Sequence, residues 1–298
     1  MRILITGGTG FIGTALTAEL LKSGHDIWVL TRQQDIQRPG VVFVSRLDDI
    51  PTAIDAVVNL AGASLADRRW SEAYKSEMVA SRAGFTEKLV GWMGELPTPP
   101  RVLISGSAIG YYGSSRSARF DEASPPGSGF SASLCRAWES AAGVAESEQT
   151  RVITLRLGVV FDREGGALQP MMRSFRFGIG SWVGDGDQWL SWVHRGDVVS
   201  AILFLLDNES QRGAYNLTAP NPVTHRDFCR ILSARKPTLF SAGVPGFLMR
   251  AALGEMADEL LLEGQHVSPN RLQAEGFRFR FASLDSALTD IIAREKAR

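Results

Sequence analysis

Residues 6–13 read TGGTGFIG, which spaces Gly8, Gly10 and Gly13 as G-x-G-x-x-G and Gly7, Gly10 and Gly13 as G-x-x-G-x-x-G. The stretch follows an apolar run, RILIT (2–6), and opens a helical pattern over 11–22. Between strand and helix, such a turn lets backbone N–H groups approach a ligand that a Cβ would hold away. The helix N-terminus adds partial positive charge, so a pyrophosphate suits the place. Gly7, Gly8, Thr9, Gly10, Phe11, Ile12 and Gly13 are thereby assigned to a dinucleotide. A glycine-rich turn without a ligand is the alternative.

The second apolar run decides which dinucleotide. DIWVL (26–30) ends in Thr31 and Arg32, with no carboxylate at its tip. An Asp or Glu there would accept from a ribose 2′-hydroxyl, whereas a hydroxyl and a guanidinium suit a 2′-phosphate. One hydrogen bond to a charged group, about 1.5–3 kcal/mol, predicts NADP(H) over NAD(H) by roughly 10- to 150-fold. A solvent-facing Arg32 is the competing reading.

These groups need a frame. Buried-looking runs VVFV (41–44), AVVNLAG (56–62), RVLISGS (101–107) and RVITLRLGVV (151–160) alternate with helical patterns at 11–22, 70–95 and 130–147. That alternation implies right-handed crossovers, a parallel sheet and helices on both faces. After residue 160 the sequence turns rich in Gly, aromatics and Arg. A helix follows at 196–208 with Asp197 as its N-cap, then a strand in AYNLT and a capped helix in VTHRDFCRILS. The expected division is a dinucleotide domain over 1–160 that also receives 192–217, with 161–191 and 218–298 forming a smaller substrate lobe.

Bulk properties narrow the partners. Lys+Arg and Asp+Glu both number 32 in 298 residues, so no global field draws the chain to nucleic acid or to a membrane surface. Two cysteines, Cys135 and Cys229, give no disulfide framework and fit a reducing compartment. The N-terminus is already a strand, which leaves no signal peptide. No apolar run reaches the ~20 residues of a membrane span. The expectation is a soluble cytoplasmic protein with a small-molecule substrate.

With TGGTGFIG, NLAG (59–62), SGSAIGYYG (105–113) and WVHRGDV (192–198), the chain resembles an extended short-chain dehydrogenase/reductase. NLAGASLADRRW, LCRAWE, LRLGVVFDREGGAL, FRFGIG and LLEGQHVSPNRLQAEGFRF narrow the resemblance to the atypical epimerase-family (YfcH-like) subgroup, similar to NAD-dependent epimerases and dehydratases. It spans essentially the whole chain. It implies an α/β fold, a Rossmann-type doubly wound parallel sheet with a small C-terminal α+β substrate lobe, and bound NADP(H). It further implies that Thr31 and Arg32 take the 2′-phosphate and that Asn59, Leu60, Ala61 and Gly62 line the cofactor. Glu77 and Arg82 would meet its adenosine side, and Val159 or Val160 would touch it. Glu77 and Arg82 otherwise read as an i,i+5 pair on a solvated helix face. Relatives pair through helices corresponding to 70–95 and 130–147, so a homodimer is expected.

In working members of that superfamily a Tyr phenol exchanges a proton with the substrate oxygen. A Lys four residues on lowers its pKa from about 10, and a Ser holds the substrate. Here Tyr74, Tyr111, Tyr112 and Tyr215 are followed at the fourth residue by Met78, Ser115, Arg116 and Ala219, so no Tyr-x-x-x-Lys exists. The helix that would carry the pair, GFSASLCRAWE (129–139), offers Phe130/Leu134, Ser131/Cys135 or Ala132/Arg136. Ser107 stands in the family's serine position, and Tyr111, Tyr112 and His194 are the candidates for a displaced acid–base group. Each also has a structural reading: a turn serine, aromatic packing, or a hydrogen-bonder at a strand end. Cys135 reads as a small buried residue rather than a nucleophile.

Other chemistry is poorly supported. His25, His194, His225 and His266 show no metal-ligand spacing, and neither a G-x-S-x-G elbow nor a Walker lysine is present. Arg176, Trp182, Gln188 and Trp192 are the candidate substrate wall, with Arg176 suited to an anionic tail. Two functions remain: an NADP(H)-dependent oxidoreductase or nucleotide-sugar-epimerase-like enzyme, or a non-catalytic NADP(H)-binding sensor or scaffold.

Overall fold

The computed structural model describes residues 1–296; residues 297 and 298, which end the 218–298 segment, lie outside the described residues. One parallel sheet contains β1 (Arg2–Thr6), β2 (Asp26–Leu30), β3 (Val41–Val44), β4 (Ala56–Asn59), β5 (Val102–Ala108), β6 (Arg151–Leu157) and β7 (Gly213–Leu217). Their order is β3-β2-β1-β4-β5-β6-β7, the doubly wound Rossmann arrangement. Helices α1 (Phe11–Lys22), α2 (Glu72–Val79), α3 (Phe85–Glu95), α4 (Phe130–Gly143) and α5 (Arg195–Asp207) cover both faces. The central strands read as continuous apolar runs because they are buried on two sides, whereas β3 at the edge leaves Val42 exposed. Ile3, Ile5 and Val58 pack with Leu16, Leu20, Val198 and Ile202 of α1 and α5. Leu4, Val57 and Leu103 pack with Leu89, Met93 and Ala142 of α3 and α4.

Three sequence runs break where the backbone changes course. AVVNLAG stays a strand only to Asn59, after which the chain turns toward Gly7. RVITLRLGVV breaks at Gly158, where a Cβ would lie 2.6 Å from Ser191 O; Val159–Asp162 then pairs with Trp192–His194 in a second sheet. The long helical pattern of 70–95 is interrupted by a π turn, Ala80–Gly84. Such turns insert a residue and rotate the side chains that follow, and here Arg82 is buried. A second apolar cluster, built around Phe161, Trp192, Phe228, Leu232, Leu288 and Ile291, forms the core of the C-terminal part. Leu272 and Phe277 instead join the core of the main sheet.

The start of α5 differs from expectation. His194 is the N-cap, its Nδ1 accepting from Gly196 N at 3.0 Å. Asp197 lies in the first turn, where its carboxylate accepts from Arg280 N at 2.9 Å and Phe281 N at 3.0 Å. The stretch GFRFRF (276–281), in which Arg and Phe alternate, is therefore held by a carboxylate rather than by a strand partner.

Burial lowers the pKa of His194 to about 4, against opposing pulls from Asp162 and Asp290, and burial alone lowers His225 to about 4. Both folded values lie below the ordinary 6.5 or so. Their contribution to stability is therefore complete above pH 6.5 and is lost as pH falls toward and through 4. Thermal melts of the wild type are expected to fall across this window. A His194→Asn variant, which keeps a capping acceptor, is expected to fall less steeply; an unchanged slope would assign the loss to other groups.

Candidate active site

The β1–α1 turn fits a pyrophosphate. Gly7 has φ +68, and a Cβ on it would stand 2.6 Å from Leu60 O at the β4 exit. A Cβ on Gly13 would collide with Gly7 O, so the third glycine seats the helix against the turn. Gly10 is the N-cap of α1, and no side chain occupies that helix end. First-turn amides without an intrahelical partner are what an anion takes. They lie between β1 and β4, at the switch point of the strand order. Phe11 also packs away from the turn, with the Arg195 guanidinium 4.9 Å from its ring centroid and Gly165 and Gly166 closing over the ring.

Around this cradle the structure sorts the remaining cofactor candidates. Arg32 is exposed, with no partner among the described residues, while the Thr31 hydroxyl accepts from Gln33 N at 3.1 Å and keeps its own proton to donate. The Asn59 side chain turns inward, a correction to its assigned role. Its Oδ1 accepts from Thr6 Oγ1 at 2.6 Å and its Nδ2 donates to Thr86 Oγ1 at 2.8 Å, and the backbone of Leu60 and Ala61 faces Gly7. Glu77 is exposed and pairs with Arg68 at 3.6 Å. Arg82 is 8% exposed, which removes the solvated-face reading. It donates to Ala63 O at 2.8 Å, lies over Gly62, and its guanidinium carbon is 5.3 Å from the Trp138 ring centroid on α4. That places it beyond the β4 exit and not beside β2, where an adenosine ribose would be read. Burial lowers its pKa, and no carboxylate pairs with it among the described residues. Val159 and Val160 are half-buried in the strand beside Trp192 and Val193.

A polar network is buried where β5 ends. Ser107 donates to Glu139 Oε1 at 2.6 Å, and Arg156 donates to both Glu139 oxygens at 2.9 Å. Arg156 also donates to Tyr112 OH at 2.9 Å, and Tyr112 donates to Asn216 Oδ1 at 2.6 Å. Burial opposes the Arg156 charge, and the Glu139 carboxylate more than offsets it, leaving the pKa above its ordinary value. The two tyrosines of the 3-10 turn Ile109–Tyr112 part ways. Burial pushes the Tyr112 phenol up to about 12, and its oxygen is fully engaged, so it is a packing residue and not the displaced acid. Tyr111 is half-buried with its ring centroid 3.5 Å from the Arg156 guanidinium carbon, and its hydroxyl makes no hydrogen bond among the described residues.

Helix α4 turns a different side-chain pair toward the end of β5. A Cβ built on Gly110 meets Ser131 Cβ at 3.0 Å and Cys135 Sγ at 3.8 Å, so these two face the strand end. Phe130 and Leu134 pack with Trp70, Tyr74 and Met78, and Arg136 is exposed. The Ser131 hydroxyl is buried without a hydrogen-bond partner among the described residues. Burial pushes the Cys135 thiol up to about 11, consistent with an inert thiol. The helix is also tied from afar: Phe130 N and Ser131 N donate to the two Glu259 oxygens, each at 2.8 Å.

Other candidates move away from this network. His194 contacts Gly196, Phe281 and Asp290, the last at 3.4 Å without hydrogen-bond alignment. It is a neutral helix cap, which corrects its catalytic assignment. Trp192 is fully buried, with Nε1 donating to Asn221 O at 3.2 Å. Gln188 is buried and donates to Val183 O and Leu261 O. Both side chains are thus buried and bonded to backbone carbonyls, which corrects their place on an open substrate wall. Trp182 stacks on Arg226 at 5.0 Å. Arg176 is exposed beside a concavity of 800 Å³ that Phe177, Arg235 and Leu239 also line. Glu139, Arg156 and Asn216 were not singled out in the sequence. An arginine inside the apolar run RVITLRLGVV was the available signal, because a buried charge must be paired.

The strand order, the glycine turn at its switch point and a serine at the β5 exit facing α4 define a Rossmann protein of the short-chain dehydrogenase/reductase type. Residues 3–218 match the family model described as NAD dependent epimerase/dehydratase family, and residues 244–291 match one described as a domain of unknown function (DUF1731). The chain is 38% identical over 304 residues to the chloroplastic SDR39U1 homolog of Arabidopsis thaliana, an epimerase family protein, across 98% of this chain and 87% of the relative. It is 37% identical over 298 residues to the epimerase family protein SAR0825 of Staphylococcus aureus (strain MRSA252), across 98% and 99%. The crystal structure of human epimerase family protein SDR39U1 (isoform2) with NADPH is similar at TM-score 0.89 and 34% identity, across 98% of this chain and 99% of that one. The chain belongs to the NAD dependent epimerase/dehydratase family. Among the described residues no helix is long and apolar enough to cross a membrane, and no group of three His, Cys, Asp or Glu is placed to hold a metal ion.

Proposed function

We propose that the chain binds NADP(H) across the β1–β4 crevice and acts on a small-molecule substrate as an oxidoreductase or epimerase, with Ser107 and Tyr111 facing the reacting group. The observation that carries this reading is the Ser107–Glu139–Arg156 network with Tyr111 laid against it and its hydroxyl unbonded. The NADPH in the human relative's structure supports the choice of cofactor. The glycine turn and the α1 amides would hold the pyrophosphate, with Thr31 and Arg32 at the 2′-phosphate and Arg82 over the β4 exit. A bound nicotinamide supplies hydride exchange.

The chain's own groups handle the proton. Ser107 has committed its proton to Glu139, so it presents lone pairs and orients a substrate hydroxyl. Tyr111 holds the exchangeable proton at its hydroxyl, with the fixed Arg156 charge over its ring. Fluorescence titrations should show tighter NADPH than NADH binding, and a screen of sugars, nucleotide sugars, aldehydes and ketones should then find turnover. Tyr111→Phe is expected to abolish that turnover at unchanged NADPH affinity. Tyr112→Phe should retain it while losing about 1–3 kcal/mol of stability, because Asn216 and one Arg156 N–H lose their partner. Turnover that survives Tyr111→Phe would remove the displaced-acid model. NADPH binding with no turnover across the screen would favour the sensor or scaffold.

A further inference from the structure

We infer that Arg38 is a second ligand of the adenosine 2′-phosphate, so that two guanidinium groups set the cofactor preference at this edge. The inference rests on the NADP(H) reading above and extends it to a residue that the order of the sequence does not reveal. Segment 31–40 leaves β2 and folds back onto α1. Val41 N donates to Arg38 O at 3.1 Å, and Gly40, at φ +79, sits against Leu21, where a Cβ would stand 3.1 Å from Leu21 Cδ2. The fold-back carries the Arg38 guanidinium to Thr14 O, at 3.5 Å. The hydroxyl of Thr14 in turn donates to Gly10 O at 2.9 Å. Arg38 thus reaches α1 one helical turn from the glycine that caps it, from the β2 side.

Two features set this arginine apart from a surface charge. It is half-buried, yet its one described hydrogen bond is a long contact to a neutral carbonyl. Like Arg32, it has no carboxylate partner among the described residues. A guanidinium carries five N–H donors in a fixed fork matched to phosphate oxygens, and most of Arg38's are uncommitted. A phosphate monoester carries up to two negative charges near neutral pH. Arg32, Arg38 and the Thr31 hydroxyl together supply two positive charges and a neutral donor for it.

The test uses the full-length protein and two probes that differ only in the group concerned, 2′,5′-ADP and 5′-ADP, alongside NADPH and NADH. Arg38→Ala is expected to weaken NADPH and 2′,5′-ADP by about 10-fold. NADH and 5′-ADP should stay within about 2-fold at an unchanged melting temperature. Arg38→Lys should recover part of the loss, since it restores charge but not the fork. Equal weakening of NADPH and NADH would mean that Arg38 only ties the loop to α1, and no change in either would mean that it touches nothing. Both results overturn the inference. A wild type that does not separate 2′,5′-ADP from 5′-ADP would remove the 2′-phosphate site itself, which is visible before any substitution is made.

Discussion

Glu139→Ala is expected to lower the melting temperature by about 6–20 °C. The carboxylate holds Ser107 and two nitrogens of Arg156, and the pair is only 14% and 5% exposed. Removing one partner of a buried ion pair leaves a charge in low dielectric and typically costs about 3–5 kcal/mol. For a chain of this size, 1 kcal/mol moves the midpoint by roughly 2–4 °C. The Ser107 hydroxyl is stranded by the same change. The double replacement Glu139→Ala, Arg156→Met should regain much of the loss, because no charge is then left unpaired. Circular-dichroism melts of the three proteins decide the matter; a single variant that melts with the wild type would show that the network is solvated and carries no such energy.

Arg82 is expected to behave in the opposite way. Its charge is buried with no acid paired to it among the described residues, so the folded protein carries an unfavourable term, offset in part by Ala63 O and the Trp138 ring, that a bound anion would relieve further. Arg82→Met keeps the stem that packs along Trp138 and discards the charge. The melting temperature without ligand should not fall, while NADPH affinity should drop at least about 30-fold, the low end for truncating one side of a buried charged contact. The ligand-induced rise in melting temperature should shrink accordingly. Unchanged affinity in a folded Arg82→Met protein would take Arg82 out of the site.

Both residues show where a linear reading stops. The sheet was legible because strands buried on two faces are apolar throughout, and the glycine turn because its spacing is fixed by local geometry. Arg82 was named, but its side of the site depends on a π turn that periodicity over 70–95 does not register. Tyr111 and Tyr112 are neighbours of one type, and the groups that engage Tyr112 and not Tyr111, Arg156 and Asn216, lie 44 and 104 residues away from it. Asn59 and Gln188 carry polar side chains at plausible places, and each is occupied by the side chain or backbone of another segment, whereas His194 caps its own helix through Gly196 N. Asp197 stood at a good capping position and was taken by the backbone of residues 280 and 281. Apart from His194, these cases share one cause: a polar group's partner is set by the fold and not by its neighbours in sequence.

The Glu259 carboxylate at the start of α4 has a consequence in time as well as in space. The amides it accepts from lie 129 and 128 residues earlier in the chain. Contacts of such separation form late, since a long loop must close before they contribute, and during synthesis Glu259 emerges well after the helix that it caps. The main sheet can therefore assemble while the helix beside Ser107 still has an open end. Until Glu259 arrives, that end offers bare amides to any anion nearby, and the face carrying Ser131 and Cys135 lacks its final anchor. The start of the helix that carries Glu139 is thus completed only after every strand of the main sheet has been made.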